Sequence, residues 1–97
     1  MSKQMNVIAR ITPKRAHLDD AREAIRGILD TTRAEPGCIE FRLSEDTEEG
    51  VLYLYEEWRD PHALAAHHAQ PYTRRVFEAY ETWLDEAPQI AHLQPVS

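Results

Sequence analysis

The chain has 97 residues, of which 42% are hydrophobic and 29% charged, and this balance is typical of one small globular domain. We therefore expect residues 1–97 to form a single domain. The 17 acidic residues outnumber the 11 lysines and arginines and give a formal net charge of −6. This excess of negative charge argues against nucleic acid and anionic membranes as partners, since both favour basic surfaces.

The single cysteine, Cys38, excludes an intramolecular disulfide and a zinc site built from several cysteines. No apolar run reaches the roughly 20 residues that a membrane-spanning helix needs. The stretch that follows Met1-Ser2-Lys3-Gln4 alternates between polar and apolar residues, whereas a signal peptide needs a continuous apolar segment. We therefore expect a cytoplasmic protein.

The first third of the chain predicts a strand followed by a helix. Residues 5–12 alternate between apolar and polar side chains, which is the period of a strand, and Pro13 ends that pattern. From about residue 14 to residue 35 the apolar side chains recur at intervals of three and four, as on one face of a helix. Pro36 and Gly37 then end the predicted helix and turn the chain.

The rest of the chain predicts a hairpin, a broken helix and a last strand. Residues 38–46 and 51–58 form two predicted strands, and the short polar connection between them favours an antiparallel hairpin. Asp60–Pro61 begins a second helix, because Asp is a preferred N-cap and Pro suits the first helical position. Pro71 is expected to break or bend this helix, and residues 90–96 are expected to form a short final strand.

The order of these elements predicts a fold. Strand, helix, strand, strand, broken helix and strand is the β-α-β-β-α-β order of the ferredoxin-like α+β fold, with the helices on one face of a four-stranded antiparallel sheet. The third strand has apolar residues on both faces: Val51, Tyr53 and Tyr55 on one, Leu52, Leu54 and Trp58 on the other. Because a second copy of the sheet would cover the outer face, we expect a homodimer.

The stretch from the third strand to the second helix is the most suggestive of chemistry. The strand delivers Trp58 to its C-terminal end, and the helix carries His67 about two and a half turns further on. We expect an aromatic wall and an imidazole to meet there in one pocket, between the sheet and the second helix.

Four short motifs also stand out in the chain: Val7-Ile8-Ala9-Arg10, Thr32-Arg33-Ala34-Glu35-Pro36-Gly37-Cys38, Tyr55-Glu56-Glu57-Trp58 and Ala63-Leu64-Ala65-Ala66-His67. Together they resemble the antibiotic biosynthesis monooxygenase family, and the resemblance extends over nearly the whole chain. It implies a dimeric α+β barrel built from ferredoxin-like subunits. It also implies an oxidoreductase activity, because the family includes monooxygenases that oxidise quinols with O₂ and no cofactor.

The activity that the resemblance implies is oxidation of a small quinol or polyphenol. Such an enzyme needs a base that deprotonates the substrate, a pocket free of water and donors that stabilise the developing anion. His67 is the predicted base, because histidine exchanges protons near neutral pH. The alternative is that His67 only binds a backbone carbonyl or caps a groove.

Trp58 and Asn6 are the other two predicted catalytic residues. Trp58 would form the flat wall against which an aromatic substrate stacks, and its alternative is packing in the core or in a dimer interface. Asn6 would orient a substrate oxygen with its side-chain amide, because asparagine is otherwise unfavourable in a strand. Its alternative is an edge residue that faces water.

Three further residues are predicted to bind substrate: Tyr72, Arg33 and Glu56. Tyr72 and Tyr80 are phenols near the break of the second helix, and one of them would donate a hydrogen bond to the substrate; the alternative for both is core packing. Arg33 and Glu56 would place charges in the pocket. For each of these two the alternative is an ion pair at the surface or in an interface.

No metal or cofactor is predicted. His67 and His68 follow His62 by five and six residues, whereas ligands on one helix should lie three or four residues apart. The chain also lacks a Gly-rich phosphate-binding loop, so nucleotide and flavin binding through such a motif are not expected.

Two other functions stay open at this point. An isomerase of a small phosphorylated or carbonyl metabolite would need cations in its pocket, and Arg33, Arg42 and Arg59 are the candidates. A ligand-binding dimer without turnover is the second alternative, because the same scaffold supports more than one function.

Overall fold

The computed structural model describes residues 3–97. Met1 and Ser2, where the predicted domain and the segment considered as a signal peptide begin, lie outside this range. The described residues form four strands and four α-helices: β1 (Met5–Ile11), α1 (Leu18–Arg26), α2 (Leu29–Arg33), β2 (Cys38–Asp46), β3 (Val51–Trp58), α3 (Pro61–Ala69), α4 (Pro71–Trp83) and β4 (Gln89–Leu93). A short 3₁₀ turn, Arg15–His17, precedes α1.

The four strands form one antiparallel sheet in the order β2-β3-β1-β4. This is the predicted ferredoxin-like α+β fold, which is therefore confirmed. The strand register aligns two rows of residues across the helix-covered face of the sheet. The first row is Phe41, Glu56, Val7 and His92, and the second is Leu43, Leu54, Ala9 and Ile90.

The predicted start and break of the second helix are confirmed. Asp60 caps α3, because its Oδ1 accepts a hydrogen bond of 2.8 Å from the backbone N–H of Ala63. Pro61 occupies the first turn of α3. Pro71 begins α4, so the chain changes direction between Ala69 and Pro71.

The prediction of a single helix from residue 14 to residue 35 is wrong. α1 ends at Arg26, and α2 begins only at Leu29. Gly27 lies at the break, and its low helix propensity reduces the free-energy cost of interrupting the helix there. The next backbone N–H, that of Ile28, bonds to Ile25 with the tighter spacing of a 3₁₀ turn.

Two strand details also differ from the sequence pattern. The alternation of residues 38–46 predicts Ile39 on the same face as Phe41, but a bulge between Cys38 and Glu40 shifts the register. Ile39 is consequently 52% exposed, whereas Phe41 is buried. The last strand ends at Leu93 rather than continuing past a proline that cannot donate to the ladder.

The core lies between the sheet and the helices. Val7, Ala9 and Ile11 of β1 are buried against residues such as Ile25 of α1 and Val76 of α4. The opposite face of the sheet, which we call the outer face, carries the intervening side chains of β1 and β3, and Ile8 there is 39% exposed. Within residues 3–97, no helix combines the length and the apolar character needed to cross a membrane.

Candidate active site

A cavity of about 40 Å³ lies between the sheet and the last two helices. Its floor consists largely of sheet residues: Val7, Ala9, Phe41, Leu54, Glu56 and His92. Its roof consists largely of residues from α3 and α4: His67, His68, Thr73, Val76, Phe77 and Tyr80. The lining is mainly apolar, with a few ionisable side chains, which is the usual character of a small-molecule site.

His67 is held in the roof by aromatic packing. The residue is only 3% exposed. Its ring lies 4.8 Å from the ring of Trp58 between centroids, at an interplanar angle of 30°, and 5.5 Å from the ring of Phe41. The imidazole therefore has a fixed orientation above the first row of the floor.

His67 is also paired with a buried carboxylate. Its Nδ1 lies 2.8 Å from Oε2 of Glu35, and the two side chains are 4% and 7% exposed. The hydroxyl of Tyr72 donates to the same carboxylate oxygen, and Oγ1 of Thr73 lies 3.4 Å from Nδ1. A carboxylate only accepts hydrogen bonds, so Nδ1 carries a hydrogen and Nε2 of the neutral ring has a free lone pair.

The Nε2 atom is available to a ligand. Among residues 3–97 it has no hydrogen-bond partner. The arrangement of a carboxylate, an oriented imidazole and an open ring nitrogen is the one by which enzymes prepare histidine as a general base. His67 lines the cavity, so a substrate there would be within its reach.

Glu56 is a second carboxylate of the cavity. It lies in the floor between Phe41 and Val7, is 6% exposed, and accepts a 2.9 Å hydrogen bond at Oε1 from Nε1 of Trp58. Burial raises the pKa of Glu56, and this effect outweighs the lowering by the Trp58 hydrogen bond and the nearby His67 ring. The protonated form of Glu56 is thus favoured relative to an exposed glutamate.

Two further side chains in the roof have shifted pKa values. Although His68 is exposed at the surface, partial desolvation lowers its pKa, and the neighbouring rings of His67 and His92 lower it further. Burial also raises the pKa of Tyr80, and the carboxylate of Glu56 adds to the effect. Both shifts favour the uncharged form, so the cavity tends to keep its polar groups neutral.

The structure brings two of the predicted site residues, His67 and Glu56, to the cavity, and it places Trp58 directly behind His67. Trp58 is completely buried and does not line the cavity, so the geometry favours the packing alternative for this residue. Tyr72 likewise lies outside the cavity lining, and its hydroxyl is committed to Glu35. Both residues support the base rather than contact the space where a substrate would bind.

The remaining two predicted residues lie elsewhere. Arg33 is exposed on α2, and its Nε donates a 3.0 Å hydrogen bond to the backbone carbonyl of Phe41. Asn6 lies on the outer face of the sheet, where its Oδ1 accepts a 3.0 Å hydrogen bond from Gln4. Neither lines the cavity, and their predicted roles in substrate binding and catalysis stay predictions.

Sequence reasoning gave no role to Glu35, and the hairpin was the signal that could have found it. The register pairs Cys38 with Trp58, so the residues before β2 lie beside the residues after β3. A 2.7 Å hydrogen bond from Arg59 N–H to the Gly37 carbonyl joins the two chain segments. Glu35 is thereby brought to the helix that carries His67.

Other reactive groups contribute less. Burial, together with the charges of Glu35 and Glu56, raises the pKa of Cys38 to about 11, so the thiol is a poor nucleophile. Within the described range, no three His, Cys, Asp or Glu side chains are grouped so that they could hold a metal ion.

Comparisons with known proteins agree with the fold described above. Residues 5–79 match the model of the antibiotic biosynthesis monooxygenase family. A Mycobacterium tuberculosis protein named "Putative monooxygenase Rv0793" is 40% identical over 76 residues, which cover 74% of this chain and 71% of that protein. Over the longer structural alignment, the solved structure of Rv0793 has a TM-score of 0.92 and 28% identity, covering 97% of this chain and 96% of that one. The structure of PA3566 from Pseudomonas aeruginosa has a TM-score of 0.91 and 28% identity, and the alignment covers 100% of this chain and 98% of that one.

Proposed function

The chain belongs to the antibiotic biosynthesis monooxygenase family, and we propose that it oxidises a small quinol or polyphenol with O₂ and without a cofactor. The observation that carries the proposal is the buried pair of His67 and Glu35 at an apolar cavity. A relative of 40% identity that is named a putative monooxygenase supports the same reaction class.

The first step is removal of a proton from a substrate hydroxyl by Nε2 of His67. The Glu35 carboxylate stabilises the imidazolium that forms, because it already accepts a hydrogen bond from Nδ1. The apolar walls of the cavity exclude water, so the substrate anion is not stabilised by solvent and gives up an electron more readily.

The oxygen chemistry then follows from the substrate itself. The quinol anion transfers one electron to O₂, and the resulting semiquinone and superoxide combine to form a carbon–oxygen bond. The proton held by His67 passes to the outer peroxide oxygen. The O–O bond then breaks, the ring carbon loses its hydrogen as a proton, and the products are a hydroxyquinone and one water molecule. One quinol and one O₂ are consumed in each cycle.

The size of the cavity means that its mouth must open for a substrate. A volume of about 40 Å³ is well below the roughly 150 Å³ of an engineered protein cavity that binds benzene. His68 and Phe77 line the cavity, are exposed, and contact each other with ring centroids 5.8 Å apart, so they lie between the cavity and solvent. We propose that these two residues form the entrance.

The lining does not favour an isomerase of a phosphorylated metabolite. Within the described part of the chain, neither arginine nor lysine contributes to the cavity. The three candidate cations, Arg33, Arg42 and Arg59, all lie outside it. A phosphate group in this cavity would meet Glu56 without a compensating positive charge, which is a costly arrangement.

We also propose that the protein acts as a homodimer through the outer face of its sheet. This face carries apolar side chains such as Ile8 and Leu93, which are 39% and 41% exposed in the single chain. Asn6 lies on the same face and would contribute to the interface rather than to the cavity. The substitution Ile8→Lys should convert a dimer to a monomer in sedimentation experiments, and a wild-type protein that sediments as a monomer would contradict this part of the proposal.

The function is tested by oxygen consumption of the purified protein without added cofactor. The panel contains hydroquinones, naphthols and anthrones, and rates are corrected for uncatalysed oxidation. His67→Ala should lower kcat by about 10²- to 10⁴-fold, the range expected for loss of a general base. His62→Ala is the matched control, because His62 is an exposed histidine of the same helix.

Each outcome of this experiment has a definite meaning. Uptake that is lost in His67→Ala and kept in His62→Ala supports both the reaction and the base. Uptake that His67→Ala leaves unchanged removes His67 from the mechanism. Absence of uptake with every substrate of the panel, in the presence of tight binding, would replace the enzyme by a ligand-binding dimer.

A further inference from the structure

We propose that Tyr80 and Glu56 form a second polar end of the cavity, which binds the second oxygen of an uncharged aromatic substrate that carries two oxygen substituents. The inference rests on the proposed function in one respect, namely that the first hydroxyl of the substrate binds to His67. It narrows the proposed quinol or polyphenol to a dihydroxy or hydroxy-keto aromatic without a carboxylate or phosphate.

The first observation is the position of Tyr80. The residue is 7% exposed, and its hydroxyl has no hydrogen-bond partner among residues 3–97. Among the described residues, Thr32 is the one whose fully buried side-chain oxygen has no partner, so the Tyr80 hydroxyl keeps some contact with solvent. Tyr80 lines the cavity, so its hydroxyl is free to bind a ligand oxygen there in place of water.

The second observation is that His67 and Tyr80 line different parts of the same cavity. Oγ1 of Thr73 lies 3.4 Å from Nδ1 of His67, and Tyr80 follows Thr73 by seven residues, or about two turns, along α4. A ligand in the cavity therefore has a polar group of α3 and a polar group of α4 within the same space.

The third observation concerns Glu56, which lies in the floor beneath this part of the roof. Only its Oε1 is used, as the acceptor for the Trp58 indole, and Oε2 has no partner among the described residues. Burial raises the pKa of Glu56 and thereby favours its protonated form, which can donate to a substrate oxygen. When ionised, the same group repels an anionic ligand.

The residues around Tyr80 also disfavour an anionic substrate. A groove of about 450 Å³ adjoins the cavity and shares Phe77, Tyr80 and Pro88 with it. The other side chains of this groove include three acids: Glu81, Asp85 and Glu86. No lysine or arginine of the described chain lines either space, so an anionic substituent has no favourable place on either side of Tyr80.

The test measures binding without O₂, so that it is independent of turnover. Three probes are titrated under argon and followed by tryptophan fluorescence: 1,4-naphthohydroquinone, 1-naphthol and 1,4-dihydroxy-2-naphthoate. The wild type should bind the hydroquinone about tenfold more tightly than the naphthol, as expected for one extra hydrogen bond, and should bind the naphthoate more weakly than the hydroquinone.

Two variants and a control make the test specific. Tyr80→Phe should raise Kd for the hydroquinone about tenfold and leave Kd for the naphthol unchanged, which a merely structural role would not do. Glu56→Gln should reduce the discrimination against the naphthoate. Tyr53→Phe carries the same change as Tyr80→Phe on the outer face of the sheet and should alter neither value.

The inference is overturned if Tyr80→Phe weakens both uncharged probes equally, if the wild type does not prefer the hydroquinone, or if no probe binds. Its failure is distinguishable from that of the proposed function. If the protein binds the hydroquinone selectively but consumes no oxygen, the second polar end is supported and the proposed oxygenase activity is contradicted. If the protein consumes oxygen but does not bind the hydroquinone selectively, the oxygenase activity is supported and the second polar end is contradicted.

Discussion

His67 Nδ1 and Glu35 Oε2 lie 2.8 Å apart in a part of the protein that is nearly free of solvent. Because little water competes for either group, the hydrogen bond fixes both the orientation and the tautomer of the imidazole. Glu35 does not line the cavity, so its side chain does not contact the space where a substrate would bind. Its effect on chemistry is therefore exerted through His67.

The first prediction follows from this indirect action. Glu35→Gln keeps the shape of the side chain but presents either a weaker acceptor or an amide donor to Nδ1. We expect kcat for quinol oxidation to fall by about 10- to 100-fold, the usual effect of losing the residue that orients a functional histidine. Steady-state oxygen uptake at saturating quinol provides the measurement.

A double variant provides the control for this prediction. In a His67→Ala background, Glu35→Gln should have no further effect, because residues that act as a unit are not additive. Tyr72→Phe removes the other donor to the same carboxylate oxygen and should have a smaller effect than Glu35→Gln. An independent loss of activity from Glu35→Gln in the absence of His67 would contradict the assigned role.

The second prediction concerns stability and pH at Glu56. Burial raises the pKa of Glu56 in the folded protein above its ordinary value of 4.5. The stabilisation linked to its protonated form is therefore complete below that ordinary value and is lost as the pH rises through the raised one. Glu56→Gln cannot ionise, so its Tm relative to wild type should be higher at pH 7 than at pH 4.

Thermal unfolding followed by circular dichroism at a series of pH values measures this difference. Glu78→Gln, an exposed substitution on α4, is the matched control and should show little pH-dependent change relative to wild type. A Tm difference for Glu56→Gln that stays constant between pH 4 and pH 7 would show that Glu56 ionises as readily in the folded as in the unfolded chain.

The same residue shows how far the sequence pattern reaches. A strand has a period of two, so Glu56 is in phase with Leu54 and Trp58, and its inward orientation was readable from the sequence. The usual preference of glutamate for the surface led instead to an ion pair as its alternative role. For Glu56, the two-residue period of the strand predicted the orientation of the side chain better than the average preference of glutamate for the surface.

Other features depended on interactions that the sequence pattern does not carry. The strands and the capped start of α3 rest on local chemistry and were predicted within a few residues. The bulge that exposes Ile39 adds one residue to the strand without a marker in the alternation. The contact of Glu35 with His67 joins residues 32 positions apart and exists only because the hairpin closes.

The third prediction tests the turn that holds Glu35 in place. Gly37 has a φ of +86°, and a Cβ atom added there would lie 2.6 Å from Cβ of Ala63 in α3. Gly50 has a φ of +68° but an open environment, with its nearest neighbour, a methyl carbon of Leu18, 3.9 Å away. Both positions require the left-handed backbone, and only Gly37 also requires close packing.

Gly50→Ala should lower the free energy of unfolding by about 1–2 kcal/mol, the cost of a left-handed alanine. Gly37→Ala should cost more, because α3 must move away from the turn, and should also lower kcat by disturbing the pairing of Glu35 with His67. Urea unfolding measures the first effect and oxygen uptake the second. Equal destabilisation by the two variants would show that the turn at Gly37 accommodates the added methyl group without a movement of α3.

The fourth prediction uses Cys38 as a reporter of the buried carboxylates. Burial is the largest cause of its raised pKa of about 11, and the charges of Glu35 and Glu56 add to it. At about pH 8 the thiolate fraction should be near 10⁻³ in the folded protein and near 10⁻¹ at the ordinary pKa of 9.0. Alkylation by iodoacetamide should therefore be about 100-fold slower in the native than in the urea-unfolded protein.

Charge-neutralising variants separate the two causes of this protection. Glu35→Gln and Glu56→Gln each remove a charge that disfavours the thiolate, so native Cys38 should react faster in both while its rate in urea stays the same. Neither should reach the unfolded rate, because burial is the larger cause. A native rate equal to the rate in urea would contradict the burial of Cys38, and an unchanged rate in both variants would mean that neither carboxylate is ionised in the folded protein at that pH.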